Sequence, residues 1–445
     1  MRTNVRNNRK GSRVFAQAVK ITVFAYFLPL IAALCLLQIN WFFSYPSFSS
    51  DFWIILAIFS LPMFLVMLLY IVTPHQRNPP KSLQVKQEVF FSATSVRLFL
   101  ILSILYIVSM GYRYFVIGSV LTDGVTGARY AEIASGPGQG GIFTGVTVFT
   151  AAAPVFLLLA AFEKVSKVQR ISRWIWAIGV LGLAMSFLTG GRNPLLINMV
   201  FLLIFGMIVP STSLRQVLRN KNMGVDIRIL SYGALLGAVG FSMYLFVERG
   251  LLRTDDLIDR AIITAAESNF IFVPERQPDW LNDSLYFAIL SLHNYITVAF
   301  YYFDQLLVKG LQFGHVGGSY NFFSFFRVAE SLFGEELVVD LATELPFVGA
   351  YYTLPGSIYI DFGISGVLIA GVLLPILAIS QVSKAMKGNF SSAPLGALVL
   401  TILVFSPLYN CIALGSGPSL LVFSIIYAFT RTKQKPIAYG NPVSF

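Results

Sequence analysis

The sequence predicts an all-α polytopic integral membrane protein, with about ten transmembrane helices and one large external loop that contains interfacial helical segments. First, 56% of the 445 residues are hydrophobic and only 12% are charged, which leaves too little polar surface to cover a soluble protein of this length. Second, the chain contains about ten apolar runs of the roughly 17–25 residues that cross a bilayer. Third, basic residues are concentrated in the segments between alternate runs.

The apolar runs divide the chain into three parts. The first run is longer than the apolar core of a cleaved signal peptide, so we expect it to be an uncleaved first span. About seven runs form an N-terminal bundle over residues 1–248, the large loop covers 249–357, and about three runs lie within 358–445. The runs are expected near 19–43, 52–73, 96–118, 142–162, 172–189, 194–210, 230–248, 358–380, 393–410 and 412–430.

The charge distribution places both termini in the cytoplasm. With the N-terminus inside, the cytoplasmic segments hold 23 of the 32 Lys and Arg residues, as the positive-inside rule requires. The net charge of +11 therefore reports orientation and does not indicate nucleic acid binding, which needs basic residues clustered on one soluble face. The cytoplasmic segments are the N-terminus, the loops 74–97, 163–173, 211–228 and 381–392, and the tail from Arg431.

Arginine dominates the basic residues on the predicted outer side, where it makes up eight of nine. The planar guanidinium suits bidentate recognition of phosphate and carboxylate, so this bias indicates an anionic ligand. The alternative is that these arginines pair with acidic residues on the same side. We expect Arg192 and Arg249, each at an outer span end, to take part in catalysis, since an arginine at that depth needs a compensating partner. The substrate-binding candidates are Arg129, Arg253, Arg260, Arg276 and Arg327.

The segment 285–307 in the middle of the large loop is apolar and long enough to span a bilayer. Counting it as a span would turn the later basic residues outward, so we expect it to enter and leave on one side of the membrane or to form an interfacial helix. On a helix, His293, Thr297, Tyr301 and Asp304 form one polar stripe. The stripe is either the water-facing side of that helix or a set of site residues, with His293 and Asp304 as substrate-binding or catalytic candidates.

Three stretches, taken in chain order, resemble the bacterial O-antigen polymerase family, the Wzy-type oligosaccharide repeat-unit polymerases. Thr189–Leu196 resembles the family's small-residue turn with an arginine at an outer span junction. Leu292–Leu307, followed by Phe313-Gly314, is similar to its aromatic segment that ends in Phe-Asp. Gly349–Gly366 resembles its Asp-Phe-Gly-x-x-Gly entry into the span after the large loop, and Arg129-Tyr130 matches a common arginine position.

The resemblance implies a metal-independent membrane glycosyltransferase without a cofactor, located in the bacterial cytoplasmic membrane. Such an enzyme transfers a glycan from a polyprenyl-pyrophosphate carrier to another carrier-linked repeat unit on the outer face. Its implied partners are the lipid-linked donor and acceptor, membrane lipid, a flippase and a chain-length regulator. Within the third stretch, Tyr352 becomes a substrate-binding candidate. Asp361 becomes a candidate base for the acceptor hydroxyl, although a buried structural role at the start of a span is an equally good interpretation.

Three other functions remain open from the sequence. The related O-antigen ligases place a His-Asn pair shortly before the closing Gly-x-x-Gly, whereas His293-Asn294 lies about seventy residues before Gly363, which favours a polymerase. A flippase or transporter of lipid-linked oligosaccharides would show inverted repeats and polar residues in the middle of the membrane. A non-enzymatic assembly scaffold is the third alternative, and it predicts that the outer arginines are dispensable.

Overall fold

The computed structural model describes most of the hydrophobic part of the chain. The described residues are 2–38, 43–73, 93–117, 141–166, 173–188, 192–209, 281–311, 314–333, 352–387, 389–413 and 416–429, with residues 271, 272 and 345 and scattered positions between 233 and 248.

Within these residues the fold is helical, with one short strand pair. The helices are α1 (Arg2–Gln38), α2 (Ser50–Val72), α3 (Ala93–Gly111, continued by a π-helix at Tyr112–Ile117), α4 (Gly141–Thr150), α5 (Ala153–Ser166), α6 (Arg173–Leu188), α7 (Arg192–Ile208), α8 (Asp283–Lys309), α9 (Phe323–Phe333), α10 (Leu354–Met386), α11 (Ala393–Phe405, after a 3₁₀ turn at Phe390–Ser392) and α12 (Gly417–Phe429). The two strands are β1 (Phe43–Ser44) and β2 (Ile271–Phe272), and they pair antiparallel.

The helices coincide with the apolar runs expected from the sequence. Four segments are long and apolar enough to cross a membrane: Val14–Gln38, Ser50–Val72, Ser95–Val116 and Leu354–Met386. This finding agrees with the predicted class of helical integral membrane protein. The other described runs form shorter apolar helices, and the run near 230–248 is helical at each position that the structure describes. The number of spans stays a prediction.

Among the boundaries that differ from the prediction, two have a clear physical reason. The first apolar run was expected to continue to residue 43, but α1 ends at Gln38 and Phe43 lies in β1. The strand is possible because Phe43 pairs with Phe272 from the large loop, a partner that hydropathy does not reveal. Helix α10 begins at Leu354, ahead of the predicted start at 358, because the Thr353 side chain caps it by accepting from Gly356 N at 3.2 Å.

Helix α10 packs closely on α2. A Cβ atom on Gly371 would lie 2.5 Å from the carbonyl oxygen of Phe59, so the two helices approach each other through a residue without a side chain. The core around this contact is aromatic, with the Phe52 ring 6.0 Å from the Phe300 ring and 5.7 Å from the Phe303 ring. Helix α8, which belongs to the predicted loop, is therefore part of the same hydrophobic core as α2.

The helix ends expected on the outer side contact one another at one end of this bundle. Helix α8 contacts the end of α1 and the segment before α2, and it reaches the start of α7. The start of α10 bonds to the end of α11, with Leu354 N donating to Ser406 O at 2.8 Å. Ser416, just before α12, donates to Pro194 O in α7 at 3.2 Å. The grouping agrees with the predicted alternation of spans, while the side of the membrane stays a prediction.

Candidate functional site

The polar stripe of α8 faces the segment that connects α1 and α2. Tyr45 in that segment donates to Asn294 Oδ1 at 3.2 Å and contacts Thr297 Oγ1 at 2.7 Å. Thr297 uses its own proton to bond to His293 O at 2.9 Å, so the single proton of the Tyr45 hydroxyl is shared between Asn294 Oδ1 and Thr297 Oγ1. Burial raises the pKa of the Tyr45 hydroxyl well above its ordinary value. The hydroxyl therefore stays protonated and holds the connecting segment on α8.

His293 and Asp304 complete this contact. His293 donates from Nε2 to the carbonyl oxygen of Leu36 at 3.1 Å, and its ring stacks on Phe43. Asp304 accepts from both the backbone N–H and the hydroxyl of Ser49. Both side chains are buried. The interpretation of the stripe as the water-facing side of an interfacial helix is therefore wrong, because the stripe bonds to protein groups from a distant part of the chain.

The opposite side of α8 joins the three stretches that carry the family resemblance. Tyr295 donates its hydroxyl to Asn193 Oδ1, which links the second stretch to the first. A Cβ atom on Gly356 would lie 2.8 Å from the Phe303 ring, which shows how closely the second stretch packs on the third. Arg192, the first residue of α7, is thus adjacent in sequence to a residue that contacts α8. Segments separated by up to about 170 residues form one cluster.

Asp361 anchors the segment before α9. Its carboxylate accepts from Tyr320 N at 3.0 Å and Asn321 N at 2.9 Å, and it also accepts from the Asn321 side-chain amide. The same amide donates to Ser357 O at 2.9 Å, and its oxygen accepts from Asn410 Nδ2. We call the side chains of Asp361, Asn321 and Asn410 the carboxamide clasp. This geometry supports the structural role of Asp361, and its role as a base stays a prediction.

Gly363 breaks α10 directly after the clasp. Its φ of 62° and ψ of −160° lie in a region that only glycine occupies readily. A Cβ atom there would lie 2.6 Å from His315 Nε2, so the ring of His315 occupies the space next to the break. The backbone N–H groups of Val316 and Gly317 donate to the carbonyl oxygens of Ile360 and Asp361 at 3.3 and 3.0 Å. The Asp-Phe-Gly sequence is therefore the docking point for the segment before α9.

Two other predicted site residues lie outside the carboxamide clasp. Arg327 is exposed on α9, where it bonds to Glu330 at 2.9 Å and lies over the Phe323 ring. This ion pair agrees with the alternative that the outer arginines pair with acidic residues on the same side. Tyr352 is buried and packs edge-on against Tyr320, with ring centroids 6.1 Å apart. Of Arg192 the structure describes the backbone only. The remaining candidates lie outside the described residues: Arg129, Arg249, Arg253, Arg260 and Arg276.

Sequence reasoning did not single out several residues of this cluster. Asn193 and Tyr295 lie inside the stretches that carry the resemblance, next to residues that were selected for their charge. Asn321 and Asn410 gave no signal, because a lone asparagine outside a known motif is typical of any turn or helix end. Their contact across 89 positions is a property of the fold.

The cluster holds the polar end of the bundle beside α10, which is long and apolar enough to span a membrane. Its described contacts pair buried polar groups of Asn193 on α7, Asp304 on α8 and Asp361 on α10. The contact of Tyr295 with Asn193 positions the start of α7, where Arg192 begins the helix. Comparison of the chain with models of protein families, with curated proteins and with solved structures finds no match.

Proposed function

We propose that the protein is a polysaccharide polymerase of the bacterial cytoplasmic membrane, which joins polyprenyl-pyrophosphate-linked repeat units at the outer face. The observation that supports this proposal best is the contact between the three stretches that resemble O-antigen polymerases. Asn193, Tyr295, Phe303 and Gly356 link them in one cluster. The parts of one active site must meet, and this contact satisfies that requirement.

The proposed reaction breaks the bond between the donor glycan's anomeric carbon and its pyrophosphate oxygen. A hydroxyl group of the acceptor repeat unit forms the new glycosidic bond and loses its proton. The products are a lengthened glycan on the acceptor's carrier, free polyprenyl pyrophosphate and that proton. Because negative charge develops on the departing oxygens, the site mainly needs fixed cations there and a base near the acceptor hydroxyl.

Arg192 and Arg249 are the proposed cations. Arg192 begins α7 beside the cluster, and its guanidinium can bind the pyrophosphate with two parallel hydrogen bonds. The helix start adds partial positive charge at the same place. A charge-assisted hydrogen bond contributes about 1.5–3 kcal/mol, so loss of either arginine should slow transfer roughly 10- to 150-fold.

The surface polysaccharide of cells that lack the protein tests this proposal. We expect single repeat units that are still exported and still attached, with no longer chains. Full-length chains that remain unattached would instead indicate a ligase. Repeat units held on the inner leaflet would indicate a flippase. An unchanged ladder of chain lengths would contradict the proposal, and complementation with the intact gene is the control.

A further inference from the structure

Helix α9 is amphipathic, and its apolar side extends past the edge of the bundle. Phe325, Val328 and Leu332 lie on one side of the helix, because successive members are three and four positions apart. The Phe325 ring packs edge-on against Phe149 of α4, with ring centroids 5.2 Å apart. Further along this side, Val328 is 38% exposed and Leu332 is 73% exposed, and the adjacent Phe333 is 74% exposed. The apolar side therefore begins on the protein and ends exposed.

The charged residues of α9 lie on its other side. Arg327 is exposed and donates to Glu330 at 2.9 Å, and the helical period places both residues roughly opposite Leu332. A helix with one charged side, and with Leu and Phe on the other, is typical of segments that lie in a membrane interface. Whether the apolar side of α9 meets water or lipid depends on its height along the membrane-spanning helices.

The part of α10 after the break at Gly363 gives the height of the membrane. From Ile364 to Lys384, which lies in the last turn of the helix, there are 20 helical steps, or about 30 Å. This length equals the ~30 Å hydrocarbon core of a typical bilayer, and a charged side chain such as that of Lys384 is costly inside that core. With Lys384 at one edge of the core, the other edge lies at about Ile364.

The exposure of α10 places this edge at the same height. The residues from Leu354 to Ile360 are all buried or half-buried. Phe362, in contrast, is 45% exposed, and large exposed apolar side chains continue as far as Leu377. An apolar helix that exposes such side chains presents them to lipid. Length and exposure are independent observations, and both indicate that α10 meets lipid from about Phe362 onward.

The segment before α9 is bonded to α10 at this edge. Asn321 donates its backbone N–H to the Asp361 carboxylate at 2.9 Å, two positions before α9 begins at Phe323. Four residues after Asn321, Phe325 already contacts Phe149 of α4. Helix α9 therefore crosses from one apolar helix towards another, and it starts at the height where lipid begins.

We propose that α9 lies in the interface of the phospholipid bilayer, with Leu332 and Phe333 against the acyl chains and Arg327 towards water. Contact with acyl chains removes from water the apolar surface that the bundle leaves exposed. Helix α9 then takes the interfacial position that was expected for the segment 285–307, and it holds the carboxamide clasp at the height of the lipid head groups. This inference does not depend on the proposed reaction.

Spin labelling of the full-length protein tests this position. The variant Cys35→Ala lacks the exposed native cysteine, and Cys411 is kept because it is fully buried. In this background Leu332→Cys or Phe333→Cys carries a nitroxide label, and Arg327→Cys is the matched control on the charged side of the same helix. The proteins are placed in vesicles of phosphatidylethanolamine and phosphatidylglycerol. Collisions of the label with oxygen and with a water-soluble nickel complex then give its depth.

We expect the labels at Leu332 and Phe333 to lie about 5–10 Å below the head groups, where they collide mainly with oxygen. The label at Arg327 should collide mainly with the nickel complex. Equal access of the nickel complex to all three positions would overturn the proposal, because the apolar end would then face water. Weak collisions with both reagents at Leu332 and Phe333 would also overturn it, since another protein surface, such as a second copy of this chain, would then cover the helix.

Fluorescence quenching provides a second measurement of lipid contact. With bimane on the same cysteines, phospholipids brominated on their acyl chains should quench emission at Leu332 and Phe333 more than at Arg327. Leu368→Cys, at an exposed position in the lipid-facing part of α10, gives the quenching expected for full lipid contact. Equal quenching at Leu332 and Arg327 would contradict the proposal. If the label at Leu332 lowers the melting temperature, the label at Phe333 decides.

Discussion

Removal of the Asp361 carboxylate should destabilise the protein strongly. Asp361 is 1% exposed, and Asp361→Ala leaves two backbone N–H groups and the Asn321 amide without their acceptor. A hydrogen bond to a charged group contributes about 1.5–3 kcal/mol, but three on one carboxylate are not additive. A buried donor left without its acceptor costs about 1–3 kcal/mol, and for the three donors together we expect a loss of about 3–5 kcal/mol.

Thermal unfolding of the purified protein in detergent measures this loss. For a chain longer than 250 residues we take about 1–2 °C per kcal/mol, so the melting temperature should fall by about 3–10 °C. Asp51→Ala is the control, because Asp51 is an exposed acid in the first turn of α2 and contributes about 1 kcal/mol at most. If Asp361→Ala melts like the wild type but forms no polymer, the structural role is refuted and the carboxylate acts in the chemistry.

Three further results should follow from the described contacts and the predicted topology. Gly363→Ala should lower the free energy of unfolding by about 1–3 kcal/mol through backbone strain, in addition to the cost of the clash with His315. Adding His315→Ala should remove only the clash, so the melting temperature should recover in part. Full recovery would contradict the claim that the backbone conformation at position 363 requires glycine. Because the pKa of Tyr45 is higher in the folded protein than in the unfolded chain, its contribution to stability is complete below about pH 10. Above that pH the Tyr45 hydroxyl loses its proton in the unfolded chain but keeps it in the folded protein, so stability declines as the pH rises towards the folded-state pKa. Tyr45→Phe should therefore make alkaline unfolding less steep while lowering stability by about 1 kcal/mol at neutral pH, and identical alkaline profiles would refute this assignment. In a variant without the native cysteines, a single cysteine replacing Asp255 should react with a membrane-impermeant thiol reagent on intact spheroplasts, whereas one replacing Asn220 should not. The reverse labelling pattern would contradict the predicted topology.

The helices were predictable because membrane insertion depends on local composition and length. Helix α2 at Ser50–Val72 lies close to the run expected at 52–73, since each of its residues adds to the same apolar segment. The distribution of Lys and Arg is likewise a property of the sequence that needs no contacts. The helix positions could therefore be inferred without a structure, while the orientation and the role of Arg192 stay predictions.

The arrangement of the site could not be predicted in the same way, because it depends on partners far along the chain. The stripe on α8 has the same spacing whether it faces water or protein. Its burial is decided by Tyr45 and Ser49, which lie about 250 positions away. Similarly, the sequence around Asp361 is compatible with a base or with an anchor. The donors at Tyr320 and Asn321 become visible only when the segment before α9 is seen on the helix.

Polymerisation by the purified protein tests the central claim most directly. Lipid-linked repeat units extracted from cells that lack the protein are incorporated into vesicles with wild-type protein, Arg192→Ala or Arg192→Lys, and the products are separated by length. We predict elongation by the wild type in the presence of EDTA, a roughly 10- to 150-fold slower rate for Arg192→Ala, and partial recovery with Arg192→Lys, because lysine keeps the charge but loses the planar fork. No elongation by correctly folded wild-type protein, or full activity of both variants, would contradict the account.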